Sequence, residues 1–248
     1  MLLWSEFTNF GSFCLVSIVI AMNPSHQPQT VRIWDLPTRL FHWLLMLSVA
    51  GLVTTGELAG EAMFFHFWFG YAVLTLVLFR LVWGVVGGHW SRFVNFIPRP
   101  GELKEYLFAI RHKQSTHHVG HNPLGALSVV LMLLLLFAQV FTGFMSDDEI
   151  ATTGPWVALI PNSWVSLATQ YHADFGKIFL IVLIVVHVAT VIYYKRAKNK
   201  DLITPMLNGN KELPSDTPPS RDTATSRLFA LGVLIACAYV VYRLVHLA

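Results

Sequence analysis

The chain has 248 residues, of which 54% are hydrophobic and only 12% charged, against roughly 25% charged in ordinary soluble domains. With a mean hydropathy of +0.55, this excludes a soluble globular domain and points to an integral membrane protein. The net charge of +3 reflects which links between segments are basic, and gives no reason to propose nucleic-acid binding.

Taken in chain order, residues 1–30 are an N-terminal extension on which two readings stay open. The apolar run Phe10 to Met22 is too short to span comfortably, and only Glu6 precedes it, so the basic start of a secretory signal is missing. Either the natural start is Met22 or the stretch is an interfacial helix. Five charge-poor segments follow, near Leu40 to Thr55, Met63 to Val86, Pro123 to Met145, Asp174 to Tyr194 and Leu228 to Leu247. Each is long enough for about 30 Å of hydrocarbon. None alternates apolar with polar residues, which predicts helices and not barrel strands. Between them, Glu102 to Arg111 reads as a short helix, and Ser146 to Tyr171 as a structured loop on the membrane surface. Residues 208–226 are rich in Pro, Ser, Thr and Asp and read as a flexible linker. The expected fold is all-α: a four-helix transmembrane bundle over residues 31–207, then the linker, then a fifth transmembrane helix in 227–248.

The links alternate in charge. Arg32 and Arg39 precede the first helix, Arg92, Arg99, Lys104, Arg111 and Lys113 lie between the second and third, and Lys195, Arg196, Lys198, Lys200, Lys211, Arg221 and Arg227 between the fourth and fifth. The other two links carry Glu57 and Glu61, and Asp147, Asp148 and Glu149, with no base. The positive-inside rule predicts a cytoplasmic N-terminus and a periplasmic C-terminus in a bacterial inner membrane.

Four histidines occupy these segments or their ends: His42, His66, His172 and His187. Ionisable side chains in a membrane span are costly and usually face the bundle interior. His187 follows His172 by fifteen residues, about 22 Å along a helix and within about 60° of the same face. By depth, His42 pairs with His187 at the cytoplasmic side and His66 with His172 at the outer side. Two bis-histidine haems stacked across a membrane need this layout. A single histidine at a helix end is more often an interfacial or core residue; four at matched depths are harder to obtain by chance. Cys14 and Cys237 form no C-x-x-C-H motif, so haem would be held without covalent links, as haem b. Gly70 and Gly176 lie one turn from His66 and His172 and would leave room for a flat macrocycle. Arg39, Arg80 and Lys177 are placed to meet propionates, and Asp174 or a backbone carbonyl could orient a ligand. His112, His117, His118 and His121 read as a solvated loop in preference to a metal site. His26, His89 and His246 have no evident partner.

The run Trp34-Asp35-Leu36-Pro37-Thr38-Arg39-Leu40-Phe41-His42-Trp43 resembles the opening of bacterial cytochrome b561-type proteins, which include the b-type cytochrome subunits of nickel-iron hydrogenases. Residues around His66, Gly70, Tyr71 and Leu78 to Gly84 are similar to that family's second helix. Gly120-His121-Asn122-Pro123-Leu124-Gly125 resembles the start of its third, and His172 to His187 its fourth. The resemblance implies a di-haem subunit that passes electrons between quinone and a periplasmic partner, either a c-type cytochrome or an oxidoreductase subunit. It also implies that the four histidines are the axial ligands. The fourth-helix histidines stand one residue further apart than is usual in that family, which turns His172 by about 100° unless a π-bulge absorbs the extra residue. The acidic outer links could dock a basic partner. Two other functions compete: a haem-free membrane anchor or transporter handling metal or protons through its histidines, and an enzyme, for instance a quinone reductase using a small oxidant such as superoxide at an exposed outer haem.

Overall fold

The computed structural model describes residues 28–114, 118–150, 152–214 and 216–247; the expectations for residues 1–27 and for His117 fall outside them. Strand β1 (Pro28–Arg32) leads into helix α1 (Leu36–Leu58). Asp35 caps that helix, accepting from the Thr38 amide at 2.8 Å, with Pro37 in the first turn. A tight turn at Ala59 and Gly60, with φ of 52° and 55°, leads into α2 (Met63–Val86). Helix α3 (Pro100–Arg111) is short and mostly exposed, and buries Tyr106. Helix α4 (Pro123–Gly143) is capped by Asn122, which accepts from the Gly125 amide at 2.8 Å. Helix α5 (Asn162–Gln170) runs through a π-helical turn, Tyr171–Gly176, into α6 (Lys177–Ala197). The segment expected to be surface loop up to Tyr171 is therefore helical from Asn162. A short α7 (Ile203–Asn208), strand β2 (Asn210–Pro214) and α8 (Ala224–Val245) complete the chain.

Five of these stretches are long and apolar enough to cross a membrane: Leu36–Leu58, Gly60–Val86, Pro123–Gly143, Asn162–Ala197 and Ala224–Val245. Helix α2 is central. It packs against α1, α4 and α8, burying Val73, Val77, Phe79 and Trp83 in one core with Leu133, Leu136 and Val140 of α4 and Ala230, Cys237 and Val241 of α8. Helix α6 packs on α4 and not closely on α1 or α2, and Leu180 is its buried residue.

The bundle is helical as expected, with one small addition at its basic end. There β1 and β2 pair antiparallel, Arg32 opposite Asn210 and Pro28 opposite Pro214. Residues expected to be a flexible linker are thus tied to the start of the chain. The Ile33 and Trp34 amides both donate to the Gly209 carbonyl, at 2.8 and 3.1 Å, across a glycine at φ 88° that a side chain would strain. Ser220 donates its hydroxyl to the Ile33 carbonyl at 2.6 Å. Asp222 takes Arg32 at 2.6 Å and Arg227 at 2.8 Å. Burial opposes ionisation of Asp222, but those hydrogen bonds and one from the Leu36 amide hold its carboxyl at about 2. Beneath the sheet, Asp35 is 0% exposed. Its carboxylate accepts from the Thr38 amide, Trp83 Nε1, the Gly88 amide and the Ser91 hydroxyl, which satisfies the buried charge. At the opposite, acidic end, Trp156 Nε1 donates to the Leu244 carbonyl at 2.8 Å, fastening the end of α8.

Candidate functional site

At the acidic end, His66 in the first turn of α2 and His172 in the π turn face each other. Their ring centres are 6.0 Å apart and the planes cross at 83°. Two imidazoles that each bind one metal ion at about 2 Å put their ring centres about 6 Å apart, so the spacing fits a bis-histidine iron site. Each ring is oriented by a backbone carbonyl on a neighbouring helix. His66 Nδ1 donates to the Leu52 carbonyl at 3.0 Å, and His172 Nδ1 to the Gln139 carbonyl at 2.8 Å. A proton on Nδ1 leaves the Nε2 lone pair as the free ligand atom. The π turn is what permits this facing. The wide turn takes up one residue relative to regular α-helix, so His172 is turned by about 100° from where uninterrupted helix would put it.

Glycines make room for these rings. A Cβ at Gly143 would stand 2.8 Å from His172 Cε1, and one at Gly56 would stand 3.2 Å from His66 Cε1. A Cβ at Gly70 would meet nothing within 4 Å. Gly176 behaves differently from its expected role: the place of its missing Cβ is taken by the Gln139 amide oxygen and the Tyr171 ring.

At the basic end, His42 on α1 and His187 on α6 lie within electrostatic reach of each other. His42 meets Trp43 edge-on at 5.3 Å, and its Nδ1 is buried with no hydrogen-bond partner among the described residues. Arg80 is 3% exposed. Its guanidinium lies 4.7 Å from the Phe93 ring centre and 5.7 Å from that of Phe96, a cation–π arrangement that leaves Nη1 unpartnered. Buried donors without partners at one end of a bundle suit an anionic group such as a haem propionate.

A model of the prokaryotic cytochrome b561 family matches residues 33–209. The chain belongs to that family. It is similar to the "Probable Ni/Fe-hydrogenase B-type cytochrome subunit" of Azotobacter vinelandii, 28% identical over 220 residues that cover 76% of this chain and 91% of the relative. The protein of the same name from Bradyrhizobium diazoefficiens is 29% identical over 216 residues, 74% and 86% of the two chains. That of Rhodobacter capsulatus is 22% identical over 220 residues, 75% and 83%. No solved structure matches the chain. As a b-type cytochrome with five apolar helices, this protein carries haem b and transfers electrons in a membrane.

The remaining histidines of the cytochrome divide. His118 packs edge-on against Tyr106 at 5.3 Å and His112 bonds the Phe108 carbonyl of its own helix. Among the described residues no group of three metal-binding side chains forms. His121, expected in a solvated loop, is instead held between Trp34 and Phe96, with both ring centres 5.0 Å away. Burial, with Arg80, His187 and His42 nearby, pushes its imidazole down to about 4, so it is neutral at physiological pH and belongs to the basic-end site. Its position in Gly120-His121-Asn122-Pro123, directly before a helix cap, was the signal that could have found it. Arg39 donates to the Leu207 carbonyl at 2.5 Å, which ties α1 to α7. Lys177 pairs with Glu57 at 3.0 Å at the acidic end. A cleft of about 1300 Å³ between α3, residues 94–99 and residues 118–123 reaches inward as far as His121.

Proposed function

We propose that this cytochrome carries electrons across the bacterial inner membrane through two haem b groups, between quinone and a periplasmic redox partner. The axial pairs are His42 with His187 near the cytoplasm and His66 with His172 near the periplasm. The observation that carries the reading is the acidic-end pair: two imidazoles at iron-bridging distance, both with Nδ1 protons held by carbonyls, brought together by a break in helix register. Held there between two imidazoles, haem would supply a one-electron carrier, which suits transfer and not binding of small molecules.

The chain's own residues set up the rest. The basic end faces the cytoplasm by the positive-inside rule, Gly70 leaves room for the flat part of one group, and Arg80 offers its guanidinium to the anionic part of the other. The cleft that ends at His121 is the apolar, partly polar-lined kind of site that a quinone headgroup would use. A partner would dock at the acidic end, where Asp147, Asp148 and Glu149 present negative charge to a basic surface. The relatives are named as probable Ni/Fe-hydrogenase cytochrome subunits, and the partner class we propose is a periplasmic oxidoreductase subunit or c-type cytochrome.

The test is a reduced-minus-oxidised spectrum with haem stoichiometry on the purified chain. Two low-spin b haems are expected, falling to one in His42→Ala and to one in His66→Ala. Two haems retained in either variant, or a haem retained in the chain carrying both substitutions, would overturn the pairing, and no haem in the natural chain would overturn the electron-transfer reading at these histidines.

A further inference from the structure

Resting on the acidic-end pair proposed above, we infer that Gln139 is a positioning residue for His172, acting as a clamp on both sides of that one residue. Its backbone carbonyl accepts from His172 Nδ1 at 2.8 Å, and its side-chain Nε2 donates to the His172 carbonyl at 2.6 Å. Gln139 is on α4 and His172 is in the π turn, so the clamp joins two helices at the place where the regular ladder of the second is broken. A wide turn weakens the local backbone pattern, and a donor from outside the helix fixes it.

Two further features fit a clamp better than ordinary packing. The Gln139 Oε1 atom is buried with no partner among the described residues, which costs free energy that an apolar side chain would not incur. Gly176, one turn after His172, is where the amide rests, and a Cβ there would collide with it. Gly143, one turn after Gln139, clears the His172 ring. Gln139, Gly143 and Gly176 therefore form one device, and the extra residue between His172 and His187 is what requires it.

The experiment compares Gln139→Met, which keeps bulk and loses the amide, in two backgrounds: the natural chain and a chain with Ala173 deleted, which removes the additional residue. Haem content, the electron paramagnetic resonance signature of the outer haem, and the Tm of the haem-free form are measured for each. In the natural background Gln139→Met weakens outer-haem binding about tenfold (about 1.4 kcal/mol) and shifts the outer signature. The inner haem is unchanged, and the haem-free Tm is not lowered. In the Ala173-deleted background the substitution changes neither haem. Equal loss in both backgrounds, or a lowered Tm with an unchanged outer signature, would make Gln139 a packing residue and overturn the inference. If Ala173 deletion abolishes folding, the natural-background signature and haem-free Tm decide alone. Absence of the outer haem from the unsubstituted chain would instead overturn the di-haem reading.

Discussion

At the acidic end of the bundle His66 and His172 are oriented by carbonyls of neighbouring helices, whereas at the basic end His42, Arg80 and His121 keep buried nitrogen atoms without partners among the described residues. The acidic-end site is organised by backbone, so it depends on helix register and on small residues that let helices approach. The basic-end site is organised by charge and aromatic packing, so it depends on Asp35, on the sheet above it and on an anion to satisfy its donors. On the proposed reading, one bundle builds its two histidine pairs by different means, and each fails for different reasons.

The comparison is broken or sharpened most strongly at Asp35. Replacing it with Ala leaves four donors without their acceptor and removes the negative charge near Arg80, and about 3 kcal/mol or more of stability should be lost. Thermal unfolding in detergent measures this, and the outer-haem signal should outlast the inner one. Simultaneous loss of both signals would mean that the two ends are not independent. Next come the glycines. Gly143→Ala drives a methyl into the His172 ring and should remove most of the outer haem, with about 1–3 kcal/mol of overpacking. Gly70→Ala meets open space, so the haem-free protein should keep its Tm while outer-haem affinity falls. Undiminished affinity there would move the macrocycle away from Gly70.

A smaller effect is expected at Asp222. Its arginine partners are partly exposed, so Asp222→Asn should cost about 1 kcal/mol and loosen the basic end alone. The folded carboxyl, at about 2, lies below the unfolded value of about 3.9. Its contribution is therefore complete above about pH 4 and disappears as pH falls toward 2. A Tm profile that is the same in wild type and Asp222→Asn over that range would refute this. The smallest change is Glu57→Gln, which removes an exposed pair with Lys177 and should lower stability by less than about 1 kcal/mol. That difference should vanish in added salt.

Much of the bundle was legible in the residues. Long charge-poor runs mark membrane spans because the hydrocarbon slab selects for length and apolarity, both local properties. The depth of each histidine followed from the same bookkeeping. The sheet was hidden because Pro28–Arg32 and Asn210–Pro214 carry no clear alternation, and because they meet only through long-range pairing: Arg32 and Asp222 are 190 positions apart. His121 was misplaced because a histidine among polar neighbours looks solvated until the rings of Trp34 and Phe96 enclose it. Gln139 carries no sequence signal at all, since a polar residue in an apolar helix has many possible partners.

The amino-acid sequence by itself determined the five spans, the sidedness of charge and the four histidines at two depths, since each follows from composition along a single stretch. Tertiary structure decided how the fifteen-residue spacing is reconciled with facing imidazoles, which carbonyl orients each ring, and which segment closes the basic end. Those choices depend on angles and contacts between helices distant in the chain, where one extra residue rotates a side chain by about 100° and only packing determines whether a π turn absorbs it.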